Sequence, residues 1–357
     1  MNFQLDLAAA LTSYVPAVLL MPLFIRLLHR WQLMDEPDDR KLHSRSVPAY
    51  GGVIIFLGYI ISVLIWIPLS DWAHLKFILL TQVIMILFGL RDDWSELKPL
   101  EKLSGQVLSS CIVVFLVDIR IENFYDLSDG YSFPVFFSYA ISIFVIIGLT
   151  NAFNLIDGID GLAGAVSCLI LFCLGIWFTL IGETTFSVLS FGLLGAILAF
   201  LFFNWQPANI FMGDTGSLFV GITISILTIK AMNLNFQLSQ IDPFKFFNTI
   251  TIGICLLVFP ILDTLRVMII RISNGLSPFN PDRRHIHHVM LDHGWNHRKS
   301  VLVILLINVV FISLAILTKG ISDLIMLPVM VVLLIIISAY ISMVHANALK
   351  KVGGVGN

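Results

Sequence analysis

Five aspartates stand in short polar stretches of an otherwise apolar chain: Asp92 and Asp93 in RDDWSELKPLEK, Asp157 and Asp160 in NAFNLIDGIDGLAG, and Asp214 in FMGDTGSL. Carboxylates gathered in one place repel one another unless a cation stands among them. A hard divalent ion such as Mg²⁺ suits them, because it takes oxygen ligands, keeps several waters and is usually held by one or two carboxylates plus substrate phosphates. Asn151 and Asn154 add uncharged donors and acceptors beside the middle pair. A second group is basic. In DRRHIHH, which follows Pro278 and Pro281, Asp282 can cap a short helix and set Arg283, Arg284 and His285 in its first turn, with His287 and His288 behind them. Free N–H groups, guanidinium forks and imidazoles together suit an anion. Arg40, Lys41, His43 and Arg45 form another basic group, and Lys98 with Lys102 a third. Acids for a metal and cations for an anion fit phosphate chemistry, where the charge of a departing phosphate has to be neutralised.

Each part also has a plainer reading. A single Asp at a helix end is an ordinary cap, and GDTGS is an ordinary glycine turn with Asp214 or Thr215 as N-cap of the helix that follows. Three histidines can bind zinc, although no Cys lies near them and the spacing is not HExxH. Lys and Arg near spanning segments often serve only as cytoplasmic anchors. Gly158, Gly161, Gly213 and Gly216 flank the acids, and are expected to break the helices there and let backbone approach a ligand.

What must position these residues is a membrane-embedded helical frame. The 357 residues are 58% hydrophobic and 12% charged, against about 25% charge in a soluble domain. A net charge of −2, with no basic arm or stripe, gives no footprint for nucleic acid. The four cysteines (Cys111, Cys168, Cys173 and Cys255) all sit inside apolar runs and read as small core residues. A spanning helix needs roughly 20 mostly apolar residues. Eleven such segments are expected: 7–28, 51–70, 75–91, 103–119, 132–150, 162–181, 185–203, 215–230, 247–270, 299–318 and 322–344. The first, with no positive charge ahead of it, reads as an uncleaved span rather than a signal peptide. Sixteen of the 21 Lys and Arg lie at or beyond the ends of odd-numbered spans, before the next span is under way, or in the C-terminal tail. That places the N-terminus outside and the C-terminus in the cytoplasm. All five polar clusters then fall on the cytoplasmic face, where one composite site is expected. The fold class expected is an all-α integral membrane protein. Residues 1–349 form a single polytopic catalytic domain, and 350–357 a short flexible tail.

The stretches RKLHSRSVPAYGG, DDWSELKPLEK, NAFNLIDGIDGLAG, NWQPANIFMGDTGSLFVG and DRRHIHHVML, in that order along nearly the whole chain, resemble those of the polyprenyl-phosphate N-acetylhexosamine-1-phosphate transferases. These are integral membrane enzymes of bacterial glycan assembly. The resemblance implies ten or eleven spans in the bacterial inner membrane, a cytoplasmic active site, Mg²⁺ or Mn²⁺, and transfer of sugar phosphate from a UDP-N-acetylhexosamine to undecaprenyl phosphate with release of UMP. A homodimer is expected, since relatives form dimers. HIHHVML and the first loop resemble the UDP-GlcNAc branch, which primes O-antigen, teichoic acid or capsule synthesis. The phospho-N-acetylmuramoyl-pentapeptide branch, with three consecutive histidines followed by Phe-Glu, is the alternative. The resemblance implies Asp214 as metal ligand. It implies Asp92 and Asp93 in binding or deprotonating the lipid phosphate, with Lys102 holding it. Asn154 and Asp157 are implied around nucleotide and metal with Asp160 in support, and His285, His287 and His288 at the pyrophosphate. Lys41, His43, Asn151, Arg283 and Arg284 complete the substrate-binding candidates. Direct attack by the lipid phosphate is favoured over a covalent aspartyl intermediate, because a phosphate oxyanion is already a nucleophile. A secondary transporter would place its acids near the midplane and show paired repeats; here the acids are terminal and no repeat is visible. An inactive scaffold would not need every one of these acids.

Overall fold

The structure, a computed structural model, describes residues 2–34, 46–127, 131–277 and 284–353. Every regular element among the described residues is a helix; there is one isolated antiparallel bridge, between Asn123 and Ser132, and no strand. The chain divides into two compact units, Met1–Lys245 and Phe246–Asn357.

The first unit contains α1 (Phe3–Trp31), α2 (Gly51–Trp66), α3 (Trp72–Trp94), α4 (Pro99–Ile112), α5 (Val135–Leu155), α6 (Leu162–Ile181), α7 (Thr184–Asn204) and α8 (Gly213–Gln237). α4 runs on through a π turn, Val113–Val117. α7 and α8 are the inner helices, with 72% and 78% of their apolar windows buried, against 22% for α1. Leu218, Ile222 and Ile226 of α8 pack with Ile78 and Met85 of α3 and Ile146 of α5. At the far end of α8, Lys245 is buried and donates from Nζ to the carbonyls of Asn235, Phe236 and Leu238. A cation thus meets the negative end of the helix dipole.

Small residues set the closest approaches, as is usual where helices associate in lipid. A Cβ on Gly195 of α7 would lie 2.1 Å from the Ala10 carbonyl oxygen of α1. Gly195→Ala is therefore expected to cost about 1–3 kcal/mol through overpacking, read as a lower unfolding temperature in detergent. Gly148→Ala in α5, whose Cβ would meet nothing within 4 Å, is the control and is expected to hold or raise that temperature. Equal shifts for both would show that the α1–α7 approach does not limit stability.

The second unit contains α9 (Thr249–Leu256), α10 (Val258–Ser273), α11 (Ile286–Asp292), α12 (His297–Leu317) and α13 (Asp323–Gly353). Asp323 ties its ends together: Oδ2 accepts from the Ile250 amide at 2.7 Å and Oδ1 from the Thr251 amide at 2.8 Å.

Among the described residues nine helices are long and apolar enough to span a membrane, and the α9–α10 pair makes a tenth if counted as one. Two of the eleven expected spans come out differently. The second ends at Trp66, because Pro68 cannot continue the helix. Its 16 residues are just short of the usual span of about 17–25. The ninth is broken: α9 and α10 meet at 79°. Pro260 lacks an N–H, and its ring would clash with the carbonyl four residues back, at Leu256 where α9 stops. α10 is then two-faced, exposing Leu265, Ile269 and Ile272 while burying Asp263, Arg266 and Arg271. The four cysteines are free thiols. Of the tail, 350–353 continue α13 and 354–357 lie outside the described residues.

Candidate active site

In the first unit the site is built on the N-terminus of α8. Gly213 opens that helix at φ +71, a left-handed conformation that a side chain resists, and any Cβ there would lie 2.0 Å from the Ala49 carbonyl. Gly216 packs its backbone on Gly52 of α2. Gly213 and Gly216 therefore serve the close approach of protein backbone. The expected cap is also corrected. The N-cap position is Met212, which makes no side-chain cap. The cap comes from α3: Asp93 accepts from the amide of Asp214 at 2.8 Å, the amide of Thr215 at 3.0 Å and the Thr215 hydroxyl. A carboxylate at a helix N-terminus satisfies free donors and faces the positive end of the dipole.

This arrangement frees the Asp214 side chain to point elsewhere. Its Oδ1 receives the Lys102 ammonium at 2.9 Å and the Asn154 amide, which also donates to Ser217 Oγ at 2.8 Å. Lys102 lies in the first turn of α4, whose start is fixed by Pro99 and by Glu101 accepting from the Lys98 amide. Its ammonium bridges to Asp92 Oδ2 at 2.8 Å, while Asp92 Oδ1 accepts from the Leu97 amide. Exposure separates the roles. The Asp214 and Lys102 side chains are 28% and 20% exposed, whereas Asp92 is 6% exposed and sits behind them.

Between α5 and α6, Asp157 has no hydrogen-bond partner for its side chain among the described residues. Burial first, then the charges of Asp214, Asp93 and Asp160, hold its carboxyl well above the usual carboxylate range. Asp160 accepts from the Ala208 amide, and the Gly161 amide donates to Asn204, whose own amide holds the Ile210 carbonyl. Gly161 is thus committed to the α7–α8 connection. Asn151 exchanges hydrogen bonds with Gln106 of α4 in both directions and donates to the Ile147 carbonyl, so its amide joins two helices.

In the second unit α11 begins at Ile286, with His285 at its N-cap position. This corrects the expectation that Asp282 caps a helix whose first turn holds Arg284 and His285: both precede it. The donor is satisfied from α10 instead. Asp263, fully buried, accepts the Ile286 amide at 2.7 Å on Oδ1 and His285 Nδ1 at 2.8 Å on Oδ2. Arg266 donates to the Arg284 carbonyl at 2.7 Å. His287 is 1% exposed, stacks on His285 and lies at a tilt against His288. Burial pushes its imidazole down to about 3, so it is uncharged at neutral pH. Lys41, His43 and Arg283, with Asp282, lie outside the described residues. Sequence reading missed Asp263, Ser217 and Gln106. The signal available for the first was a lone acid three residues before Arg266 in an apolar run.

Among the described residues no three His, Cys, Asp or Glu side chains converge as a complete metal shell, for zinc or for any other ion. Two carboxylates remain, Asp214 and the unpartnered Asp157. An oxygen-only pair of that kind fits a divalent ion that fills its other positions with water and phosphate.

Fold and site define a multi-pass helical membrane protein whose charged groups gather at helix ends. Residues 75–232, which include Asp92, Asp93, Asn154, Asp157 and Asp214, match the model of glycosyl transferase family 4. The chain is 33% identical over 314 residues to a probable undecaprenyl-phosphate N-acetylglucosaminyl 1-phosphate transferase of Bacillus subtilis (strain 168), covering 87% of this chain and 84% of that one. It is 28% identical over 302 residues to the undecaprenyl-phosphate alpha-N-acetylglucosaminyl 1-phosphate transferase of Escherichia coli (strain K12), covering 80% and 77%. The Yersinia pestis protein of the same description is 28% identical over 284 residues, covering 77% and 73%. The chain belongs to the polyprenyl-phosphate N-acetylhexosamine-1-phosphate transferase family, and is a transferase of that kind.

Proposed function

We propose that the protein transfers GlcNAc-1-phosphate from UDP-GlcNAc to undecaprenyl phosphate at the cytoplasmic face of a bacterial inner membrane, as the first membrane step of a surface polysaccharide. A lipid-phosphate oxygen forms a bond to the β-phosphorus of the nucleotide sugar. The bond from that phosphorus to the bridging oxygen breaks, and UMP leaves with the oxygen. The observation that carries the reading is the accessible Lys102–Asp214 pair at the start of α8, beside the unpartnered Asp157. The relatives' names favour GlcNAc over phospho-N-acetylmuramoyl-pentapeptide.

Asp214 and Asp157 are the residues that would hold Mg²⁺ or Mn²⁺, which when bound supplies charge neutralisation for the pyrophosphate. Lys102 holds the lipid phosphate, oriented by Asp92. Asn154 fixes the Asp214 carboxylate, and Asp160 and Asn151 fix the segments around it. His285, with Arg284 and His288, binds phosphate oxygens of the nucleotide sugar, and the resemblance assigns Lys41, His43 and Arg283 to substrate binding as well. His287 contributes as a neutral ring. Counting α2 and the bent α9–α10 pair as one crossing each makes eleven, the distribution of Lys and Arg puts the N-terminus outside, and a homodimer is the expected assembly.

The test is purified protein incubated with labelled UDP-GlcNAc, undecaprenyl phosphate and Mg²⁺. A lipid-linked sugar pyrophosphate and one UMP per product are expected, with inhibition by tunicamycin and no turnover of UDP-N-acetylmuramoyl-pentapeptide. Product from the pentapeptide donor alone would move the protein to the peptidoglycan branch. Solute flux in liposomes with no UMP would make it a transporter.

A further inference from the structure

We propose that Asp263 is a positioning residue for the transfer reaction: it fixes the ring orientation and tautomer of His285, so that Nε2 is the nitrogen through which His285 meets substrate. The inference rests on the reading of His285 as a phosphate-binding residue.

Asp263 lies in the first half of α10, fully buried, in a stretch that is otherwise apolar apart from Thr264 and Arg266. A carboxylate there is costly unless its oxygens are occupied. Both are, and by one short segment: Oδ1 takes the Ile286 amide and Oδ2 takes His285 Nδ1. The first bond holds the backbone immediately after His285. The second holds its ring. Together they leave the imidazole little freedom to rotate about either side-chain torsion. Arg266, three residues along the same helix, holds the carbonyl immediately before His285. The residue is therefore gripped on three sides from α10.

The chemistry of the pair sets the tautomer. A carboxylate oxygen only accepts, so Nδ1 carries the proton whether the ring is neutral or charged. Every proton that His285 exchanges with substrate then passes through Nε2, which makes no hydrogen bond among the described residues. A carboxylate behind an imidazole is a general device for holding one nitrogen forward, and where the imidazole binds a metal, disturbing it typically costs about 10- to 100-fold in affinity or activity. The cost is larger where the wrong tautomer results.

Asp263→Asn is the discriminating change, since it keeps the shape. The one oxygen left on the substituted side chain can still accept the Ile286 amide, but the NH₂ beside it then faces Nδ1 and demands an acceptor there. The neutral ring is expected to shift its proton to Nε2. Three measurements read this. ¹⁵N spectra of histidine-labelled protein, with the His285 signals assigned by their loss in His285→Gln, are expected to show the Nδ1–H tautomer in the wild type and Nε2–H in the variant. Turnover is expected to fall about 10- to 100-fold with the KM for undecaprenyl phosphate unchanged. In a His285→Gln background, Asp263→Asn is expected to cause no further loss of turnover. A wild-type tautomer in the variant, wild-type turnover, or losses that multiply in the double variant would each overturn the proposal. Should His285→Gln alone turn over at the wild-type rate, the role of His285 fails and the proposal with it. Loss of transfer in Asp214→Asn would in that case still uphold the transferase reading.

Discussion

Asp214→Asn is expected to lower turnover by at least about 100-fold, the scale seen when one preorganised electrostatic contact at a reacting centre is removed, while folded protein is recovered as for the wild type. The change is isosteric and spares what anchors the start of α8, because Asp93 grips the backbone amides of residues 214 and 215, not the Asp214 side chain. What disappears is one negative charge between the Lys102 ammonium and the Asn154 amide. Two consequences for stability oppose each other. Lys102 loses a partner, though it keeps Asp92 at 2.8 Å. Asp157 loses the largest of the charges that repel it. The unfolding temperature without metal is therefore expected to stay close to that of the wild type. A rate alone does not tell a lost metal ligand from a displaced substrate, so the decisive measurement is unfolding with and without Mg²⁺. A ligand that binds only the folded state raises its stability as concentration exceeds the dissociation constant. The wild type is expected to gain melting temperature with millimolar Mg²⁺, and Asp214→Asn to gain none. Retained turnover together with retained stabilisation by Mg²⁺ would take Asp214 out of the metal role.

The sequence carried the frame and the identity of the polar clusters because both follow from local patterning. Runs of about 20 apolar residues mark spans regardless of what they pack against, and α3, α5, α6, α7, α8 and α12 fall close to where those runs lie. Polar residues confined to the ends of such runs are conspicuous for the same reason. What the sequence hid is partnership. A carboxylate that caps its own helix and one that caps another look alike in one dimension, so GDTGS read as self-capped while the cap came from Asp93, 121 residues earlier. DRRHIHH likewise read as capped by Asp282, whereas the donor of Ile286 is met by Asp263 in α10. In both cases an acid inside or at the end of an apolar helix reaches across to the amides of a helix that starts later. Thr215 and Ile286 are buried, and a buried backbone donor must find an acceptor within the protein. The break at Leu257 was readable from Pro260, but an apolar run is blind to a 79° turn within it.

The cap on α8 makes a second large effect, different in kind from the first. The resemblance assigns Asp93, with Asp92, to binding or deprotonating the lipid phosphate, yet both Asp93 oxygens are engaged by the Asp214 amide, the Thr215 amide and the Thr215 hydroxyl. A carboxylate held by three donors at a helix start is a strong clamp. Asp93→Ala leaves two amides and a hydroxyl at the helix start without an acceptor. At about 1.5–3 kcal/mol for a hydrogen bond to a charged group, with relaxation recovering part of it, a loss of roughly 2–5 kcal/mol is expected. The readout is a lowered unfolding temperature and faster thermal inactivation in detergent. Activity is expected to fall as well, because the same amides set where Asp214 stands, and the fall is expected to appear in the handling of UDP-GlcNAc and undecaprenyl phosphate alike. Asp93→Asn is expected to lie between, since its one remaining acceptor cannot serve both amides and its NH₂ group opposes one of them. A residue that acted only as a base would give the opposite pattern. Asp93→Asn and Asp93→Ala would lose turnover equally, the unfolding temperature would not move, and the lost activity would return in part as pH rises and the lipid phosphate ionises on its own. Stability that falls in the order wild type, Asn, Ala, without recovery of turnover at high pH, is what a clamp requires; unchanged stability in Asp93→Ala would return the residue to proton transfer.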